Sequence, residues 1–413
     1  MNGQKVTLYS YRWVVLVVFA LINLIVQLQW LTFAPVATIA QTEYHVSALQ
    51  IDMLSMIFMI VFIVFSIPAS YIIDTYGIRV GVGIGAALVA IFGMLKGLYG
   101  SSYTMVFIAQ TGLAIAQPLV TNAISKVSVH WFPVNERATA SGLATLAMYV
   151  GIVIAMIVTP ILVAATGSGT EMRGMLLIYG VASLVIAGLV FAFLRERPAT
   201  PPSLEQQEER FRVGEGLRHI FSQRSMILLI AMSFIALGMF NAVSTIIDQI
   251  GSLKGLNSDQ SGLVGGMMLI GGIIGAVVLP IFSDRAGKRR PFLIACFIGA
   301  FPGLLGLTLL HSYPLVLASA FVLGFFVMSA GPIGFQYSAE VTYPAPESSS
   351  QGMILLAGNI SGVIFILGAD GIGIPILMRL FLALVAVSVV LSLYLRESPL
   401  ILTERADASE AGA

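Results

Sequence analysis

Residues 70–80 read SYIIDTYGIRV and residues 280–290 read PIFSDRAGKRR. Each closes a long apolar run, and Asp74 and Gly77 in the first recur as Asp284 and Gly287 in the second, 210 positions later. A second pair of stretches agrees. WFPVNER at 131–137 and TYPAPES at 342–348 align Phe132, Pro133 and Glu136 with Tyr343, Pro344 and Glu347, 211 positions apart. Matching sites at nearly one offset, in equivalent loops, mark an internal repeat. The repeat predicts two parallel halves on either side of the polar stretch at 195–225.

The runs between those loops decide what the halves are. The chain has 413 residues, 58% hydrophobic and 10% charged, against about 25% charged in a typical soluble domain. So few charges cannot cover a soluble surface of that size, and most of the outside must face hydrocarbon. The net charge of +1 gives no reason to expect a nucleic-acid partner. A single cysteine, Cys296, excludes an internal disulfide framework and a Cys-based metal site, and the four histidines lack ligand spacing. No metal and no cofactor is expected.

A transmembrane helix takes ~20 mostly apolar residues. Such runs fall near 13–38, 50–73, 79–99, 104–128, 137–163, 174–194, 226–250, 258–282, 291–310, 313–336, 350–368 and 374–395, twelve in all. The first is too long for the core of a cleaved signal peptide and reads as a retained span. With the N-terminus in the cytoplasm, 17 of the 21 Lys and Arg residues lie inside or at inner helix ends. Only Lys96, Arg173, Lys254 and Arg379 fall toward the outside. That asymmetry fixes a multi-pass protein of the cell (plasma or inner) membrane with both termini cytoplasmic. The expected organisation is a six-helix half over 1–197, a linker over 198–225 and a second half over 226–413. In the linker, SLEQQEERFRVGEGLRHIF reads as an amphipathic helix that turns Phe211, Leu217 and Phe221 to the membrane. The tail from Arg405 reads as disordered.

The pattern D-x-x-G-x-R from Asp74 to Arg79, echoed as D-R-x-G-K-R from Asp284 to Arg289, resembles the signature of the major facilitator superfamily. Ser70 and Pro280 stand where that signature has Gly, and Thr75 where it has a basic residue. The resemblance covers nearly the whole chain. It implies an all-α membrane protein of twelve transmembrane helices in two pseudo-symmetric six-helix halves, the major facilitator fold. Such carriers, usually monomers, work by alternating access about a site near the midplane. At the cytoplasmic level a gate is expected from Asp74, Arg79, Arg137, Asp284, Arg285 and Glu340, with Glu136 and Glu347 beside them. There a carboxylate can accept hydrogen bonds from a neighbouring helix N-terminus and pair with Arg or Lys.

Polar residues inside the spans suggest the site. NLIVQLQWLTFAPV at 23–36 places Gln27, Gln29 and Trp30 at the centre of the first run, away from the interfacial belts where membrane tryptophans usually lie. Gln110, Asn122 and Asn23 read as residues that hold helices together. The stretches YSYRWVVLVVFALINLIVQLQWLTFAPV, AIAQPLVTNAISKVSVHWFP and FNAVSTIIDQ are similar to the feline leukaemia virus subgroup C receptor-related transporters. The likeness implies a haem- or choline-class transporter, choline and ethanolamine being the better fit to a small aromatic cavity. The family's choline cage is one Trp, one Tyr and two Gln. Trp30 takes the place of the Trp and Gln117 that of the first Gln. The second Gln falls on Asn359 and the Tyr on Asn241, which has no ring. Phe240 and Tyr337 are the aromatic candidates to replace it, and Gln29 is expected to line the same wet cavity. One aromatic face is worth about 0.5–2 kcal/mol to a quaternary ammonium. An amide in its place shifts the expectation toward a smaller or more polar amine, or a neutral solute, with choline the best single candidate.

No histidine or carboxylate lies near the middle of a span, where proton-driven carriers place one. Facilitated diffusion of a small organic solute is therefore expected, with that solute and membrane lipid as the partners. The alternatives are a proton-coupled exporter of drugs or metabolites, an organic-anion carrier and, more remotely, a non-transporting receptor or sensor. No nucleophile–base set or phosphate loop is present, so the chain does not read as an enzyme.

Overall fold

The computed structural model describes residues 9–133, 136–166, 171–198, 200, 213–343 and 347–397. Its regular structure among these residues is all helical, and twelve helical segments are long and apolar enough to cross a membrane. The first segment is α1 (Tyr11–Trp30), a 3-10 turn (Ala34–Val36) and α2 (Ala37–Tyr44); the second is α3 (Ala48–Tyr76) and the third α4 (Ile78–Leu98). The fourth is α5 (Tyr103–Thr121) with α6 (Ile124–Trp131), followed by α7 (Arg137–Thr166) and α8 (Glu171–Phe193). A short α9 (Val213–Ser222) precedes the seventh span, α10 (Arg224–Thr245) with α11 (Ile247–Ser252). Then come α12 (Ser258–Ala286), α13 (Arg290–Leu309), α14 (Tyr313–Thr342), α15 (Glu347–Ile372) and α16 (Ile374–Leu393).

The chain divides into two units, Met1–Gln207 and Glu208–Ala413. Within the first, α1 packs along α7, α3 along α5 and α4 along α8; within the second, α10 packs along α15, α12 along α14 and α13 along α16. These are the same three pairings counted from the start of each unit, so the sequence repeat is also a repeat of packing. The close approaches need small residues. At Gly275 in α12 a Cβ would run into the Phe325 carbonyl of α14, and the glycine run of the eighth span serves this contact.

The repeat extends to helix starts. Ser47 opens α3 with a reciprocal cap: its hydroxyl accepts from the Gln50 N–H at 3.3 Å, and Gln50 Oε1 accepts from the Ser47 N–H at 2.9 Å. Asn257 and Gln260, 210 positions on, open α12 in the same way at 2.8 and 3.2 Å. Each cap satisfies donors that the first turn of a helix leaves without partners. Spans two and eight thus begin with the same cap and end in the same Asp-x-x-Gly sequence.

Of the linker expectation, α9 lies among the described residues and Phe221 on it is exposed. The Phe211 and Leu217 side chains and the tail from Arg405 lie outside the described residues. Lys96, counted in the sequence as a charge toward an outer end, is fully buried within the first unit.

Candidate functional site

Helix α1 stops at Trp30, midway along its span, and the last carbonyls of a helix have no partner within it. Each one is met. The Gln27 carbonyl accepts from the Leu31 N–H, the Leu28 carbonyl from Thr32 Oγ1 at 2.9 Å, the Gln29 carbonyl from Gln110 Nε2 at 2.9 Å and the Trp30 carbonyl from Ser55 Oγ at 3.3 Å. The Trp30 indole N–H returns to the Ser55 carbonyl at 3.1 Å. Spans two and four therefore hold the broken end of the first span, and Trp30 is fixed at ring and backbone together.

The amides around it divide by helix face. Gln117 Nε2 lies 3.5 Å from Gln27 Oε1, one turn before Trp30. Gln29 points elsewhere, its Nε2 donating to Ser183 Oγ at 2.9 Å in the sixth span. Asn122 donates to Ser66 and Ser70 of the second span at 3.0–3.1 Å, so it bridges helices as Gln110 does. Among the described residues Asn23 bonds within its own turn, to the Phe19 carbonyl at 2.8 Å.

In the second unit Asn241 donates to the Gly358 carbonyl at 3.3 Å, next to Asn359. Asn359 bonds the Leu355 carbonyl of its own helix at 2.9 Å. Phe240, on the neighbouring face of α10, packs toward Met268, Leu323 and Val327. Tyr337 is fully buried in the unit's core with Met226, Phe297 and Ile333, and its hydroxyl donates to the Arg396 carbonyl at 2.7 Å. The structure ties Asn241 to the backbone beside Asn359, turns the Asn359 amide back onto its own helix, and sets Tyr337 among core residues.

At the signature end of the first unit, the exposed Asp74 lies 3.4 Å from Lys126, which also donates to the Ile73 carbonyl at 2.6 Å. Arg79 is exposed, and Arg137 donates to the Phe132 carbonyl at 3.3 Å. At the signature end of the second unit, the buried Arg289 donates to Asp284 and, at 3.1 Å, to Glu340, while Gln336 also donates to Glu340 at 3.1 Å. Burial works against the Arg289 charge, but its hydrogen bonds and attraction to Asp284 and Glu340 raise its pKa above the ordinary arginine value. Arg285 is exposed. Arg289, not Arg285, is therefore the residue that joins Asp284 to Glu340.

Sequence reasoning missed a pair of carboxylates here. Glu196 accepts from the Ile78 and Arg79 N–H groups at 3.0 and 2.7 Å and caps α4. Glu397 accepts from the Arg289 and Arg290 N–H groups at 2.8 and 3.2 Å and caps α13. The helix-capping role foreseen for Asp74 and Asp284 belongs to these residues. Their signal was available as a third repeat, LRERP at 194–198 and LRESP at 395–399.

Comparison with known proteins agrees with this architecture. Residues 19–366 match the Major Facilitator Superfamily. The chain is 30% identical to an uncharacterised MFS-type transporter of Caenorhabditis elegans, over 86% of this chain and 63% of the relative's length. It is 27% identical to the choline/ethanolamine transporter FLVCR1 of Felis catus, over 88% of this chain and 68% of the relative. Among solved structures, a bacterial homologue of the human lysosomal transporter Spinster superposes with a TM-score of 0.70 at 15% identity, over 94% of this chain and 97% of that one, a likeness of fold.

Proposed function

We propose that this chain, which belongs to the Major Facilitator Superfamily, carries a small organic amine across a membrane by alternating access, with choline or a close analogue as the solute. The observation that carries the reading is the broken end of the first span. There Trp30 is held at both its indole and its backbone, and Gln27 and Gln117 meet one turn away. An indole offers the best aromatic face for an organic cation, and amides supply hydrogen bonds for a hydroxyl. The relative named as a choline/ethanolamine transporter supports the same class. In the second unit Asn241 and Asn359 supply amides where an aromatic face is missing, so the reading favours a solute with more hydrogen-bonding groups than a bare trimethylammonium.

Both termini face the cytoplasm in this reading, and the charged ends at Asp74 and Asp284 form the cytoplasmic gate. Transport is facilitated diffusion. A cationic solute is drawn inward by an inside-negative potential, about 2.3 kcal/mol per charge per 100 mV.

The test is uptake of radiolabelled choline into proteoliposomes, with and without an inside-negative potential, for the wild type and Trp30→Ala. Saturable, voltage-driven uptake, indifferent to a pH gradient and lost in Trp30→Ala, is expected. Folded wild-type protein that takes up no more choline than empty liposomes overturns the substrate assignment, and a screen of polar amines and neutral metabolites follows.

A further inference from the structure

Lys96 lies in the middle of the first unit's polar network, wholly buried, on the third span. Its Nζ donates to Gln110 Oε1 at 3.1 Å and to Thr32 Oγ1 at 3.5 Å, and it stands 5.4 Å from the centre of the Phe33 ring. Among the described residues it makes no ion pair with a carboxylate. A buried ammonium without a counter-charge is costly and gives way to the neutral amine unless its surroundings stabilise it.

Those surroundings all belong to the break in the first span. Thr32 and Phe33 are the residues of the break, and Gln110 and Thr32 are the groups that satisfy the Gln29 and Leu28 carbonyls at the end of α1. The C-terminal end of a helix carries partial negative charge. Lys96 faces that end across one layer of polar groups: its proton meets the Gln110 carbonyl oxygen, and the same amide's N–H meets the Gln29 carbonyl. Hydrogen bonds in such a chain polarise and strengthen one another. The Phe33 face adds a further attraction.

In ion-coupled carriers, unwound carbonyls and broken helix ends of this kind hold a coupling cation. Here the third span provides the positive charge covalently. We propose that Lys96 is a tethered cation that keeps the broken end of α1, and with it Trp30, in the geometry that binds solute. It is a positioning residue, and solute affinity depends on a positive charge at this place but not on a free ion from the medium. The inference rests on the reading of Trp30 as solute-facing, and it gives a physical reason for transport without a coupling ion.

Two variants test it in full-length protein reconstituted in proteoliposomes. Lys96→Met keeps the stem's volume and removes the charge. Lys96→Ala leaves room for added propylammonium. For choline uptake, Lys96→Met is expected to raise KM by about tenfold with the maximal rate within about twofold. Propylammonium restores KM in Lys96→Ala but not in Lys96→Met, whose side chain fills the space; that difference separates rescue from competition at the solute site. A KM unchanged in Lys96→Met overturns the proposal. A second readout does not need the substrate: the ¹⁹F resonances of the three tryptophans in 5-fluorotryptophan-labelled protein, with Trp30 assigned by Trp30→Phe. The Trp30 signal is expected to move in Lys96→Met and to return in Lys96→Ala with propylammonium. If the wild type takes up no choline, the substrate assignment fails, and this signal alone decides for Lys96: movement and rescue support the role, and a stationary signal overturns it.

Discussion

The two signature loops share a backbone plan and differ in how they hold charge. Each follows a capped long helix, turns at a glycine with positive φ and receives a glutamate from the end of its unit onto the next helix N-terminus. In the first loop the cation comes from another span, Lys126, and meets an Asp74 that is largely in solvent. In the second the cation is the loop's own Arg289, tucked in with a side chain only 11% exposed and joined to Glu340, itself 8% exposed, on the tenth span. The repeat has kept the helix cap, the glycine and the capping glutamate, while the conformation at the glycine and the pairing of the charges differ between the halves.

The largest expected effect tests that contrast. Arg289→Met leaves Glu340 buried without its cation, and breaking a buried pair from one side costs about 3–5 kcal/mol. Lys126→Met loses an exposed ion pair, worth at most about 1 kcal/mol, and a hydrogen bond to the Ile73 carbonyl, worth about 0.5–1.5 kcal/mol. Thermal unfolding in one detergent should therefore show a clearly larger drop for Arg289→Met. The double variant Arg289→Met/Glu340→Gln should regain much of it, because no buried charge is then left alone. Equal drops in the two halves would erase the distinction between them.

A smaller effect separates the turns. Gly77 has φ 94° and ψ 171°, a region essentially confined to glycine, where another residue costs about 1–3 kcal/mol. A Cβ there would also lie 2.6 Å from the Glu196 carboxylate, so a side chain would push out the cap of α4. Gly287, at φ 55° and ψ 44°, is in the left-handed helical region that asparagine visits. Gly287→Asn should cost less than about 1 kcal/mol, and Gly77→Asn should lower both yield and melting temperature. Comparable losses at the two positions would show that the turns are under the same constraint after all.

How much of this was legible in the sequence follows from which features depend on position along the chain and which on rotation about a helix. The spans are long apolar runs broken by charge, and all twelve appear as helices. The repeat in the loops also reads directly, and it extends to the caps at Ser47 and Asn257 and to the LRExP stretches. What did not read was which way a side chain turns. Gln29 and Trp30 are neighbours in sequence but point about 100° apart, and Gln29 is bonded to Ser183 in the sixth span. Lys96 lies two residues before the last of a 21-residue helix whose flanking loop is short, so its charge looked terminal; its long stem instead runs inward to Gln110. Arg285, Lys288, Arg289 and Arg290 are equivalent by composition, and only the left-handed turn at Gly287 decides that Arg289 faces Glu340. The expected solute site remains the least legible part, because Trp30, Gln117, Asn241 and Asn359 come from four spans and their roles depend on the solute as much as on the fold.

The smallest expected effect concerns the two capping glutamates. Glu196 uses its oxygens separately: Oε1 accepts from the Ile78 N–H and Oε2 from the Arg79 N–H. Glu397 uses one oxygen, Oε1, for both the Arg289 and Arg290 N–H groups. Glutamine keeps one acceptor oxygen and replaces the other with a donor. Glu397→Gln can therefore retain both of these bonds while losing the charge's attraction to the helix N-terminus, about 0.3–1 kcal/mol. Glu196→Gln loses that and one of its two bonds, and turns an N–H₂ group toward a backbone donor. The extra cost is about 1 kcal/mol. Alanine at either position removes both bonds and should cost about 0.5–2 kcal/mol in both halves. The informative quantity is thus the difference between the glutamine and alanine variants at each site, read from melting temperatures. It should be large at Glu397 and small at Glu196, and the reverse pattern would show that the two caps are not held by the oxygens assigned to them.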